Sequence, residues 1–229
     1  MNKLDINNWK QFSLRDEKYF EIYSSKKGVI LDDYTFSHIK SKSTIPVITS
    51  SGQNNGFVGF ITKNDEEILY SKNTITIAKD GTHIAFSFFQ PEEFYANPLV
   101  FILKVKCDNN IRIELVSFFI CSIIKMEHPK YSYGRKLNID NLLEIKILLP
   151  VNQKGEPDWL WIEDFSKKIF NKVKEDIIRL IDTERERERE REQKLILIIE
   201  MNFKSVIIFM FLEPKPLKKK IFYQESLLI

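Results

Sequence analysis

The sequence predicts an α+β fold, a mostly antiparallel β domain followed by one long C-terminal helix. Three observations predict it. Short runs rich in β-branched and aromatic residues recur up to about position 150, with turn signals between them. A single apolar stripe at helical spacing then runs from position 162 to 180. Of the 229 residues, 43% are hydrophobic, with 18 Phe, 8 Tyr and 3 Trp, enough to build a core and to exclude a wholly disordered chain.

The β-rich runs are residues 20–23, 44–49, 57–62, 73–78, 84–89, 100–105 and 144–149. Breakers such as Ser50-Ser51-Gly52, Asp80-Gly81 and Asn109-Asn110 punctuate them, because Gly and Asn accept the backbone angles of tight turns. One helix interrupts the series at 112–124, where Ile113, Val116, Phe119, Ile120 and Ile123 recur at helical spacing. Pro150 ends the last strand, and 152–157 is a polar connector. Asp158 can cap the next helix, its carboxylate accepting amide hydrogens of the first turn. Ile162, Phe165, Ile169, Val173, Ile177 and Leu180 follow at steps of three and four. That stripe either docks on the domain or pairs with a second helix. It runs up to a charged repeat rather than a capped end, which favours pairing. The expected organisation is a β domain at 1–150, a helix at 151–183, a Glu-Arg repeat at 184–192 and a tail at 193–229.

A net charge of +3 invites a polyanion partner, so its location matters. Residues 1–183 carry 25 basic and 24 acidic side chains, residues 184–192 carry 4 and 5, and the remainder carries 6 and 3. The excess therefore sits in the tail, and global charge does not select a partner. Strict Glu-Arg alternation over 184–192 suits a solvated helical face. It is also what a GA dinucleotide tract encodes, so the expectation is a slippage-prone, phase-variable tract with a frame-dependent tail. The apolar stretch 195–212 resembles a membrane span, but Glu200, Asn202 and Lys204 interrupt it, and one central charge costs roughly 2.5 to 3.5 kcal/mol on insertion scales. No membrane association is expected. The N-terminus lacks the apolar run of a secretion signal, and Cys107 and Cys121 cannot build a disulfide framework, so a cytoplasmic setting is expected.

Three segments carry candidate chemistry. In 45–60, three glycines surround Ser50, Ser51, Gln53, Asn54 and Asn55. Such a loop brings backbone close to a ligand, Ser suits phosphates, and Gln and Asn can pair with adenine edges. A plain hairpin turn explains the same glycines. No Lys-Ser or Lys-Thr follows them and no βαβ unit surrounds them, which excludes a P-loop or dinucleotide site. The second segment, 76–82, is a strand entering a tight turn and includes Lys79 and Thr82. The third, 125–136, interleaves Lys130, Arg135 and Lys136 with Tyr131 and Tyr133, a pattern suited to following a phosphate backbone and equally to a solvated loop.

Taken in order, Trp9 and Phe12, Phe20-Glu21-Ile22, the run from Ile45 to Gly56, Ile75 to Gly81, Tyr131 to Arg135, and Leu148-Leu149-Pro150 with Pro157-Asp158-Trp159 resemble a target-recognition domain of restriction-modification systems. The resemblance covers about positions 9–182. It is to the specificity subunits of type I systems and the similar subunits of bifunctional type II enzymes. It implies a domain that reads double-stranded DNA without chemistry of its own, while separate methyltransferase and restriction subunits act. Contacts are then expected from Ser50, Ser51, Gln53, Asn54, Asn55, Lys79, Thr82, Lys130, Tyr131, Tyr133, Arg135 and Lys136. Base selection is expected from less recognisable stretches, 63–72 or 88–97. Such subunits hold two recognition domains apart with paired helices, and this sequence has one of each. It reads as a half-subunit that would form a homodimer, or pair with another specificity half-subunit, through Ile162, Phe165, Ile169, Val173, Ile177 and Leu180.

Rival functions have weaker support. Asn97-Pro98-Leu99 begins like an amino-methyltransferase motif but lacks its second Pro and aromatic. Glu144-Ile145-Lys146 has nuclease-like spacing with Asp140 nearby, but such a site also needs an acidic residue on a neighbouring strand, and an isolated Glu-x-Lys is common by chance. His38, His83 and His128 are too scattered to suggest a triad, and no metal or cofactor is expected. A protein–protein adaptor using the long helix is the remaining alternative.

Overall fold

The computed structural model describes residues 4–26, 28–131 and 136–183, with side chains described to residue 180. Tyr133 and Arg135, the Glu-Arg repeat and the tail, with the frame-shift and membrane expectations attached to them, lie outside the described residues.

Among the described residues, nine strands and three α-helices follow one another along the chain. The strands are β1 (Lys10–Ser13), β2 (Phe20–Ser24), β3 (Thr44–Ile48), β4 (Phe57–Thr62), β5 (Thr74–Ala78), β6 (Ser87–Gln90), β7 (Tyr95–Ala96), β8 (Val100–Val105) and β9 (Lys146–Leu149). The helices are α1 (Ile113–Lys125), α2 (Ile139–Leu143) and α3 (Trp159–Thr183). The strands form three sheets, ordered β1-β9, β2-β8-β5-β6 and β4-β3-β7. Every pairing is antiparallel except β3 with β7. The α+β expectation therefore holds, with a C-terminal helix of 25 residues.

Two expected strands start late for local reasons. Residues 84–86 turn rather than extend, because Ala85 sits at φ 66, and β6 begins only at Ser87. Glu144 closes α2, so β9 begins at Lys146. The sequence reading missed β1, whose polar Lys-Gln-Phe-Ser run is a strand because Lys10 pairs with Leu149 and Ser13 with Lys146.

The main core lies between the four-stranded sheet and α1. Ile75, Ile77, Leu103, Phe119 and Ile120 are fully buried there. The first half of α3 completes the same core, so of the two expectations for its stripe this part docks on the domain. Ile162 and Ile169 are buried, and Phe165 and Val173 pack against the cluster. Phe165 stands edge-on to Phe119 of α1, with centroids 6.0 Å apart, and stacks on Trp161 at 4.9 Å and 9°. Trp9 meets Trp161 edge-on at 5.4 Å. The physical reason is that α1 covers the sheet with one face and needs a cover for the other. Burying an Ile side chain stabilises by roughly 1.5 to 3 kcal/mol, so a domain of this size uses those residues itself. Farther along, Ile177 is buried, whereas Leu180 is 63% exposed. Asp158 caps α3 as expected, its Oδ1 accepting from the Trp161 amide at 3.0 Å.

A smaller core of Val29, Val47, Ile61 and Tyr95 supports the sheet of β3, β4 and β7. That sheet carries the β3–β4 hairpin, whose tip projects toward β6 of the main sheet.

Candidate nucleic-acid interface

The hairpin tip is built by its own side chains. Asn54, Asn55 and Gly56 hold φ of 50, 55 and 78°, a left-handed run that Asn tolerates and Gly adopts freely. The Thr49 amide donates to the Gly56 carbonyl at 2.8 Å and its hydroxyl does so at 3.2 Å. Ser51 accepts from the Gln53 amide at 3.2 Å, which commits that hydroxyl to the turn. Ser50 is half-buried, while Gln53 and Asn54 are exposed. The segment is therefore a hairpin turn, with scaffold residues inside and the Gln53 and Asn54 side chains exposed.

The tip is held against the main sheet by Gln90, which donates through Nε2 to the Asn55 carbonyl and to Thr76 Oγ1, both at 3.0 Å. It also closes on the turn after β5. A Cβ on Gly52 would lie 2.1 Å from His83 Cδ2, so only glycine allows this approach. Thr82 is exposed and its hydroxyl lies 3.0 Å from His83 Nδ1. Lys79 turns inward instead. Its ammonium donates to Ser24 Oγ at 2.5 Å and to the Pro98 carbonyl at 2.7 Å, and it lies 4.7 Å from the Phe101 ring centroid. Burial pushes its pKa down to about 8.

The third segment joins the same place. Lys136 pairs with Asp80 at 2.5 Å, and the Leu137 amide donates to the Lys79 carbonyl at 3.2 Å. Lys136 and the Gly81 amide hold the Asp80 carboxyl below its ordinary pKa. Lys130 pairs with Glu127 at 2.5 Å, and Tyr131 is half-buried against the core. His128 Nδ1 lies 2.7 Å from the Ile84 carbonyl, which can only accept, so this nitrogen carries the proton. The rings of His83 and His128 each have their centroid 5.0 Å from that of Phe86, and the Lys125 ammonium lies 4.3 Å from it. Sequence reasoning missed this group. His83 and His128 looked scattered, and no local spacing signals that both would meet Phe86.

Other expectations fare differently. The stretch 88–97 is a poor place for base selection, because Phe88, Phe89, Gln90, Phe94, Tyr95, Ala96 and Asn97 are buried and only residues 91–93 are exposed. The 63–72 loop is mostly exposed and is organised by Asn64, whose Oδ1 accepts from the amides of Glu66 and Glu67 at 2.9 and 3.0 Å. Asn97 uses its side chain to accept from the Leu99 amide at 3.1 Å. Glu144 pairs with Arg15 at 2.7 Å, and among the described residues no group of three or more His, Cys, Asp or Glu could hold a metal. Burial, aided by Asp108 and Glu163, pushes the Cys107 thiol up to about 11, away from nucleophilic use.

Three parts of the chain distant in sequence, 49–56, 79–83, and 125–131 with Lys136, thus meet. Comparison with known proteins gives this arrangement a context, because the type I restriction modification DNA specificity domain matches residues 7–179. The chain belongs to this family. The specificity domain is 29% identical over 169 residues to the S.BcgI specificity subunit of a type II restriction enzyme from Heyndrickxia coagulans, covering 74% of this chain and 47% of that protein. It therefore spans about half the length of that curated relative. Among solved structures, it is similar to one described as underlying complex assembly and conformational transition of the type I restriction-modification system. There the TM-score is 0.51 at 10% identity, covering 90% of this chain and 47% of the other, a likeness of fold. The type I S subunit from M. genitalium aligns with a TM-score of 0.49 at 16% identity, over 89% of this chain and 50% of that one.

Proposed function

We propose that this specificity domain reads the sequence of double-stranded DNA and directs separate methyltransferase and restriction subunits to it, taking no chemical step itself. The observation that carries the reading is the family match across 7–179, and the meeting of these three parts of the chain supports it. Gln53 and Asn54 expose paired donors and acceptors suited to base edges, while Thr82, Lys130 and Lys136 suit phosphates. Ser50, Ser51, Asn55 and Tyr131 belong to the same surface, Ser51 and Asn55 partly as scaffold through the bonds given above. Tyr133 and Arg135 continue the third segment and keep their proposed role as DNA contacts. Lys79 enters as an internal brace for the turn rather than a contact.

Pairing with a second copy or another specificity half-subunit is proposed for the outer end of α3. Ile178 and Leu180 are 46% and 63% exposed there, beyond the portion committed to the core. The test is to purify the chain with a methyltransferase subunit and map which DNA sites become methylated. A defined site supports the reading. Salt-insensitive or sequence-independent association with DNA, or none, speaks for a protein adaptor instead.

A further inference from the structure

We propose that His83, Phe86, Lys125 and His128 form a binding surface for the sugar-phosphate backbone of duplex DNA, immediately beside the 49–56 hairpin tip. The proposal rests on the DNA-reading function given above and assigns to it four residues outside the expected contact set. The first argument is charge. Two carboxylates stand in this neighbourhood, Asp80 and Glu127, and each is already paired at 2.5 Å, with Lys136 and Lys130. Lys125 is left over: among the described residues its ammonium makes no ion pair, and it lies over the Phe86 ring, half-buried. Burial lowers its pKa, the mark of a cation without a counter-charge. A phosphate supplies that counter-charge.

The second argument is hydrogen-bond direction. His128 donates from Nδ1 to the Ile84 carbonyl, which fixes its ring beside Phe86. His83 engages Thr82 through Nδ1 and fits against Gly52, which ties this surface to the hairpin tip as one body. The third is exposure. His83, Phe86, Lys125 and His128 are all half-exposed, in a domain that would otherwise bury an aromatic group of this kind. Phe86 itself is the platform, since cations gather on an aromatic face and leave their outer side to solvent.

The test uses the full chain and a random-sequence DNA duplex, with binding followed by fluorescence anisotropy across a potassium chloride titration. Lys125→Met should weaken binding about tenfold at low salt and reduce the slope of log K against log salt by about one. Lys125→Arg, which keeps the charge, should restore the slope, a rescue that a merely structural role does not require. His128→Ala, which removes the ring beside Phe86, should also weaken binding to the same duplex at low salt. An unchanged slope for folded Lys125→Met overturns the proposed surface while leaving DNA reading intact. Failure of the wild-type chain to bind any duplex overturns the functional reading and this surface together.

Discussion

Gln90 reaches out of the main sheet to the carbonyl oxygen of Asn55, 3.0 Å away, and so fastens the hairpin tip of one sheet to a strand of another. Its amide nitrogen also donates to Thr76 Oγ1, and the side chain is only 6% exposed. A buried acceptor that loses its donor costs about 1 to 3 kcal/mol. Gln90→Leu is therefore expected to lower unfolding free energy by about that amount in urea titrations. Among molecules that remain folded, discrimination between cognate and random DNA should fall more than affinity for random DNA, since the tip is freed while the phosphate contacts stay.

The approach of Gly52 to His83 makes a second test. Gly52→Ala places a methyl group where the imidazole stands, and overpacking of this kind typically costs about 1 to 3 kcal/mol. If the ring is the obstacle, His83→Ala should relieve most of the cost. A double-mutant cycle by chemical denaturation should then show coupling above about 0.5 kcal/mol. Additive effects would place the strain elsewhere.

How far the sequence reveals this arrangement depends on whether a signal is local. β4 and β8 stand where runs of β-branched, aromatic and other apolar residues end at turn residues, because burial and turn chemistry are both written within a few positions. The Lys-Gln-Phe-Ser run of β1 carries no such pattern and becomes a strand only through β9 at the far end of the domain. The stripe of α3 was legible, but what covers it was not, since the cover is the outer face of α1 with Phe119 at its centre. Lys79 read as an available cation because its partners, Ser24 and Pro98, are distant in sequence. The meeting of His83, Phe86 and His128 is of the same kind.

Lys79 supplies a pH test. Its pKa is pushed down to about 8 by burial, from 10.5 for an unburied lysine. The folded state then holds fewer protons than the unfolded state between those values, so stability rises with pH across that window and falls as pH drops through about 8. The Cys107 thiol, raised from 9.0 to about 11, opposes this above about pH 9, as Tyr23 and Tyr70 do above 10.0, while Lys125, lowered by burial, adds to the rise. The rise should therefore be clearest between about pH 8 and about 9. Lys79→Met, which keeps the stem over Phe101 and removes the charge, should reduce it to the part due to Lys125 in guanidinium titrations at fixed ionic strength.

The two ends of α3 should respond to substitution in opposite ways. Ile169 is buried in the intramolecular core, and truncation of such a residue to Ala costs about 2 to 5 kcal/mol through lost contacts and the cavity left behind. Ile169→Ala should therefore lower stability at a concentration-independent midpoint, because the contact it removes lies within one chain. Leu180 is 63% exposed in the single chain, so Leu180→Ser should change the stability of that chain by no more than about 0.5 kcal/mol. If the outer end of the helix pairs with another specificity domain, the same substitution should weaken association in sedimentation velocity runs over a concentration series. A large loss of stability with no change in association would instead assign Leu180 to the core of its own chain and remove the proposed pairing surface.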